Sequence, residues 1–94
     1  MKLLKIIKPD DWHVHFREGK VLEKLVPETS KIYNRSIVMP NLTNPIFNQE
    51  SAIKYKNLIL KNSCNNKSFQ PLMTIYLNEK ISKKEIVNGY SKNI

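Results

Sequence analysis

Apolar positions along the chain fall into three extended runs, each followed by a stretch with helical spacing. The first run, residues 4–16, alternates polar and apolar side chains from Asp11 onward and is predicted to be a strand. Pro9 limits pairing near its middle, which predicts an irregularity before Trp12. Residues 18–33 follow with Val21, Leu22, Leu25 and Val26 on one helical face. Pro27 either kinks this helix or opens a second one at its first position. Asn34 and Arg35 read as a turn, and Ser36 to Met39 as a short apolar strand that Pro40 stops. Residues 41–49 form a loop, in which Asn48 is a helix cap and Glu50 suits the first turn beyond it. Residues 51–62 then make a helix with Ala52, Tyr55 and Ile59 inward. A polar connection leads to the third strand, residues 71–77. Ser82 and Glu85 have capping-box spacing ahead of Ile86, Val87 and Tyr90, the apolar side of a last helix.

The order is β-α-β-α-β-α. The second and third strands are apolar almost throughout, as expected where both faces of a parallel sheet are covered. No repeat, low-complexity tract or linker interrupts the 94 residues. Three βα units alone leave two sheet edges and much apolar surface open, whereas a closed βα barrel takes about 250 residues. The expected fold class is therefore α/β, the first three βα units of an incomplete (β/α)8 TIM barrel. A compact three-stranded α/β domain is the alternative.

Composition removes several functions. The net charge of +8 could indicate nucleic acid, yet fourteen of the sixteen basic residues are lysine and they are scattered. Phosphate and base recognition favours the arginine fork, and no basic stripe with interleaved aromatics is present. No nucleic-acid partner is expected. No run of about 18 apolar residues exists, so no membrane partner is expected either. The start carries no secretory pattern. The lone Cys64, in a polar loop, permits no internal disulfide and fits a reducing, cytoplasmic setting.

The candidate chemistry sits in "DDWHVHFREG", residues 10–19, which holds both histidines, the only tryptophan and one of the two arginines. Alternation puts Asp11, His13, His15 and Arg17 on one face, with Trp12, Val14 and Phe16 on the other. In a barrel the apolar set packs against helices and the polar set points to the axis at the strand's C-terminal end, where such barrels do their chemistry. Two histidines at i and i+2 stand about 7 Å apart at Cα, and their imidazoles can converge on one metal ion. Zinc needs three or more protein ligands, so the pair is half a site; otherwise the two rings are simply satisfied by hydrogen bonds. Arg17 is either a surface arginine or a bidentate holder of a substrate carboxylate. Asn41, just after Pro40, is either turn chemistry or the start of the next active-site loop. Asp11 suits capping of local backbone better than metal binding.

The segments "KPDDWHVHFREG", "VPETSKIYNRSIVMPNLTNP" and "FQPLMTIYL" resemble, in unbroken order, the N-terminal part of dihydroorotase of the stand-alone bacterial type, in the amidohydrolase superfamily. Phe16 and Glu18 depart from it, since leucine and aspartate are common there. The resemblance implies that residues 1–94 are the N-terminal fragment of a single amidohydrolase barrel domain. It implies a zinc pair, two ions per complete site, and the reversible cyclisation of N-carbamoyl-aspartate to dihydroorotate in de novo pyrimidine biosynthesis. His13 and His15 then ligate one zinc. His15, Phe16 (through its backbone), Arg17 and Asn41 bind substrate, with Arg17 and Asn41 on its carboxylate. The whole-length family implies a homodimer. The bridging carboxylated lysine, two further histidines and the catalytic aspartate have no counterpart here, so no catalytic residue lies within this chain. The resemblance thus implies a hydrolase whose isolated 94-residue fragment is inactive. The alternative is a non-catalytic remnant or a piece of barrel completed by a partner chain.

Overall fold

The computed structural model describes residues 3–63 and 66–91. The elements are β1 (Asp11–Val14), α1 (Gly19–Ile32), β2 (Arg35–Val38), α2 (Gln49–Asn62), β3 (Gln70–Met73) and α3 (Lys83–Ser91). The three strands form one parallel sheet in the order β1-β2-β3. Cys64 lies outside the described residues.

β1 and β3 are shorter than their apolar runs, whereas β2 keeps four residues but starts one earlier, at Arg35, a residue expected in a turn. Leu3, Leu4, Ile6 and Ile7 are exposed and lie outside any strand, and β3 stops at Met73 rather than Leu77. A strand persists only while a neighbour supplies backbone partners. β2 is four residues long and ends just before Met39 and Pro40, so it sets the length of the whole ladder. Two tethers continue past it. The Met39 amide donates to the Val14 carbonyl at 2.9 Å, and the Tyr76 amide to that of Ile46 at 2.6 Å.

α1 is a single helix with Pro27 inside it. Its buried stripe is Leu22, Val26 and Ser30, at i, i+4 and i+8. Val21 and Leu25, expected on that face, are exposed. α2 buries Ala52, Tyr55 and Ile59 as its spacing predicts, and the Asn48 side chain caps it by accepting from the Ser51 amide at 2.8 Å.

α3 departs most from expectation. Ile86, Val87 and Tyr90 are exposed, and only Gly89 is buried. The capping box is half formed. Ser82 Oγ accepts from the Glu85 amide at 3.1 Å, but the Glu85 carboxylate turns to the start of α2 and accepts from the Gln49 amide at 2.7 Å. One helix start thus helps to cap another, satisfying a donor that α2 cannot satisfy internally.

One core gathers Phe16, Leu22, Val26, Val38, Ile46, Ala52, Tyr55, Ile59, Phe69 and Met73. Phe16 meets Phe69 edge-on, with ring centroids 6.5 Å apart, a favoured aromatic geometry. Fully burying a side chain of this size contributes about 1.5–3 kcal/mol. Phe16 therefore anchors the segment that leaves β1, directly beside the candidate site.

Candidate functional site

β1 owes its form to a register shift. Asp11 pairs with Ser36 and Val14 with Val38, so three steps along β1 (11 to 14) match two along β2 (36 to 38). An extra residue of this kind makes a bulge and reverses the phase of the side chains beyond it. The irregularity predicted before Trp12 thus falls at Trp12 and His13 themselves. Asp11 shares the register of buried Ser36, and Val14 that of buried Val38. The single polar face expected for Asp11, His13, His15 and Arg17 is therefore broken at its first member.

Asp11 instead holds local backbone: its Oδ1 accepts from the His13 amide at 3.1 Å. Trp12, expected against the helices, is half exposed, and the Arg35 guanidinium lies 5.0 Å from its ring centroid. Arg35 also donates to Asp10 twice, from its side chain to Oδ2 at 2.6 Å and from its backbone amide to Oδ1 at 3.1 Å. The Asn34 amide donates to the Pro9 carbonyl at 2.8 Å. Residues 9–12 are thus fixed to the start of β2, which sets where the histidines begin.

His13 and His15 come together. Their Nε2 atoms are 3.0 Å apart, with ring centroids at 5.0 Å and planes tilted by 59°. Nitrogens bound to one tetrahedral zinc at 2.0–2.1 Å stand about 3.3 Å apart, so the pair needs only slight spreading to share an ion. Burial, then the positive charge of Arg17 and then that of His13, push the His15 imidazole below its ordinary pKa. This favours the neutral ring, the form that ligates metal. His15 Nδ1 is buried and has no hydrogen-bond partner among the described residues. Among the described residues no group of three or more histidine, cysteine or acidic side chains forms. The two histidines therefore fit zinc as part of a ligand set, not as all of it.

Arg17 and Asn41 also meet. Arg17 has φ +58°, a left-handed conformation that a non-glycine residue seldom adopts. Its Nη1 donates to the Asn41 backbone carbonyl at 3.3 Å. Arg17, Glu18, Asn41, Leu42 and Thr43 line an open groove of about 430 Å³. The Asn41 loop is folded onto Pro40, whose carbonyl accepts from the Leu42 and Ile46 amides at 3.0 and 3.1 Å. Phe16, between His15 and Arg17, is fully buried and sends its side chain into the core.

Sequence reasoning missed Tyr55 as part of this region. Its hydroxyl donates to the Arg17 carbonyl at 2.7 Å while its ring is buried in the core. Burial, reinforced by Glu18 and opposed by Arg17, pushes its pKa up to about 12. The inward stripe of α2 announced a buried phenol, and a buried phenol needs a polar partner. Only the fold names that partner.

A larger open groove, about 710 Å³, lies between Phe47 and the start of α3. Its Glu85 carboxylate is already engaged by the Gln49 amide.

Comparisons with known proteins concern the sequence and the fold. No family model matches the chain. The dihydroorotase of Buchnera aphidicola subsp. Acyrthosiphon pisum is 48% identical over 94 residues, all of this chain and 27% of that protein. The dihydroorotase of Pectobacterium atrosepticum is 46% identical over 92 residues, 98% of this chain and 26% of that protein. The crystal structure of dihydroorotase from Campylobacter jejuni superposes with a TM-score of 0.82 at 32% identity, over 90% of this chain and 25% of that one. By sequence and by fold, the chain matches the N-terminal part of dihydroorotases. It spans about a quarter of the length of the curated relatives it matches. The dihydroorotase of Saccharomyces cerevisiae, solved in complex with 5-fluoroorotic acid, superposes with a TM-score of 0.80 at 28% identity, over 90% of this chain and 23% of that one. Three consecutive parallel βα units are what the chain shares with these structures.

Proposed function

We propose that residues 1–94 are the N-terminal fragment of a single amidohydrolase barrel domain and supply one side of a dihydroorotase site. The reaction is the zinc-dependent, reversible cyclisation of N-carbamoyl-L-aspartate to dihydroorotate in cytoplasmic pyrimidine biosynthesis. The observation that carries this reading is the juxtaposition at the C-terminal end of β1. Two imidazole nitrogens converge at 3.0 Å, and two residues further on Arg17 reaches Asn41 on the neighbouring βα unit.

His13 and His15 would hold zinc, which when bound supplies Lewis-acid polarisation of the ring amide. The Arg17 guanidinium and the Asn41 side chain bind the substrate carboxylate. The Phe16 backbone and His15 line the same end of the substrate. The solved relative that holds 5-fluoroorotic acid, a ring carrying a carboxylate, supports a ligand of this class. The 94 residues alone are inactive, because two histidines do not complete a zinc site. In the whole-length protein a homodimer is the expected assembly.

The test joins this chain to the part of the Buchnera aphidicola dihydroorotase beyond its matched 27%. The chimera is expected to turn over dihydroorotate and to lose activity on chelation, with recovery on adding zinc. The 94-residue chain alone is expected to give no turnover. A well-folded chimera with no activity at any zinc concentration would overturn the reading.

The exposed apolar side chains Leu3, Leu4, Ile6, Ile7 and Leu77 favour one variant of it, in which a separate polypeptide completes the barrel. Co-purification of a chain carrying the remaining strands distinguishes that case.

A further inference from the structure

We infer that Tyr55 is a positioning residue of the carboxylate end of the site: its hydroxyl holds the Arg17 backbone in the left-handed conformation that points the guanidinium at Asn41. The inference deepens the dihydroorotase reading and rests on it for the identity of the ligand, a small cyclic or open-chain carboxylate.

Two independent observations meet at Arg17. Its backbone has φ +58° without being glycine, a conformation that persists only where surroundings impose it. Among the described residues, the side chain that donates to its carbonyl is Tyr55, at 2.7 Å, from the middle of α2 and 38 residues away in sequence. The tyrosine ring is fixed among core residues and is only 5% exposed. The donor therefore arrives on a rigid element rather than on a loop.

The geometry also explains why the tether matters. Phe16 points into the core and Gly19, itself at φ +58°, opens α1. Between them the chain must turn toward the helix in two residues, Arg17 and Glu18. Without a tether the Arg17 peptide is free to rotate, and the guanidinium leaves the Asn41 carbonyl that now accepts from it at 3.3 Å. The hydroxyl remains a donor across any working pH, since burial and Glu18 keep its proton on up to about 12. The core contacts of the ring survive in Y55F, which removes the donor alone.

The first arm of the test uses the 94-residue chain itself. A crystal structure of Y55F is expected to retain α2 and the core while Arg17 leaves φ near +58° and its guanidinium separates from Asn41. Arg17 unchanged in that structure would overturn the inference, whatever the chain's activity.

The second arm uses the chimera described above. Y55F is expected to raise KM for dihydroorotate roughly five- to tenfold, the scale of one lost hydrogen bond, with kcat within about twofold. In an Arg17→Ala background the same substitution is expected to change KM by less than about twofold, because a residue acting through Arg17 has nothing left to position. An equal penalty in both backgrounds, or a loss confined to kcat, would contradict the role. An inactive parent chimera would count against the dihydroorotase reading, and the structural arm would still decide the tether.

Discussion

His13 Nε2, from β1, and His15 Nε2, one residue beyond its end, lie 3.0 Å apart, and the next side chain, Phe16, is fully buried on the helix side. Pleating alternates the faces, and the bulge at Trp12 and His13 sets which residues take which face. At this distance one ring nitrogen donates to the other, the tautomers deciding which, and a metal ion shared by both rings would take the place of the proton between them.

Zinc binding by the 94-residue chain is therefore expected to be weak and to need both rings. Titration of the chain with zinc, followed through the histidine ring resonances, is expected to shift both residues together. H13A or H15A is expected to weaken binding at least tenfold, since each removes half of the protein ligands. Binding that survives both substitutions unchanged would place the metal elsewhere.

Phe16 separates backbone from side chain. F16A is expected to cost about 3–5 kcal/mol of stability, because it empties a fully buried aromatic site. F16L is expected to cost about 1–2 kcal/mol, since most of the volume remains. Urea denaturation measures both. A small effect of F16A would show that the segment leaving β1 is not anchored by this ring.

The pair of Asp10 and Arg35 carries an acid dependence. The hydrogen bond from Arg35 is the main cause that holds the Asp10 carboxyl below its ordinary 3.8, against a smaller opposing effect of burial. The folded state thus binds that proton less readily than the unfolded chain does. The stabilisation is fully present above pH 3.8 and is lost as pH falls through the lower folded value. The urea midpoint of the chain is expected to fall more steeply below pH 4 than that of D10N. Parallel acid limbs for the two proteins would remove Asp10 from the explanation.

Glu85 links α3 to α2 through the Gln49 amide at 2.7 Å. E85A is expected to cost about 0.5–2 kcal/mol, the scale of losing a helix-capping acceptor, and E85Q clearly less. Hydrogen exchange at the Gln49 amide reads the same contact directly. Equal protection in E85A and the parent would mean that another group caps that amide.

Much of this arrangement was legible in the sequence. The α2 stripe of Ala52, Tyr55 and Ile59 follows from spacing alone, because one continuous face meets one continuous core. The convergence of His13 and His15 follows from strand periodicity. Pro9 announced an irregularity, but the place of the bulge, at Trp12 and His13, depends on how β1 registers against β2 rather than on any residue in β1. Trp12 was misplaced for that reason and for a second one: Arg35, beside it on β2, offers its ring a cation. The exposed faces of Ile86, Val87 and Tyr90 are a different failure. Their pattern is amphipathic, but a pattern names a face and not its partner, and the described residues contain nothing to cover it. The reach of Tyr55 to Arg17 spans 38 residues and was invisible until the fold brought α2 beneath the end of β1.

The convergence of the two imidazoles on one ion is tested most directly by crystals of the chimera grown with zinc, measured on both sides of the zinc absorption edge. An anomalous peak about 2.0–2.1 Å from Nε2 of both His13 and His15 is the expected result. Fully occupied zinc elsewhere in the site, with either ring turned away from it, would contradict it.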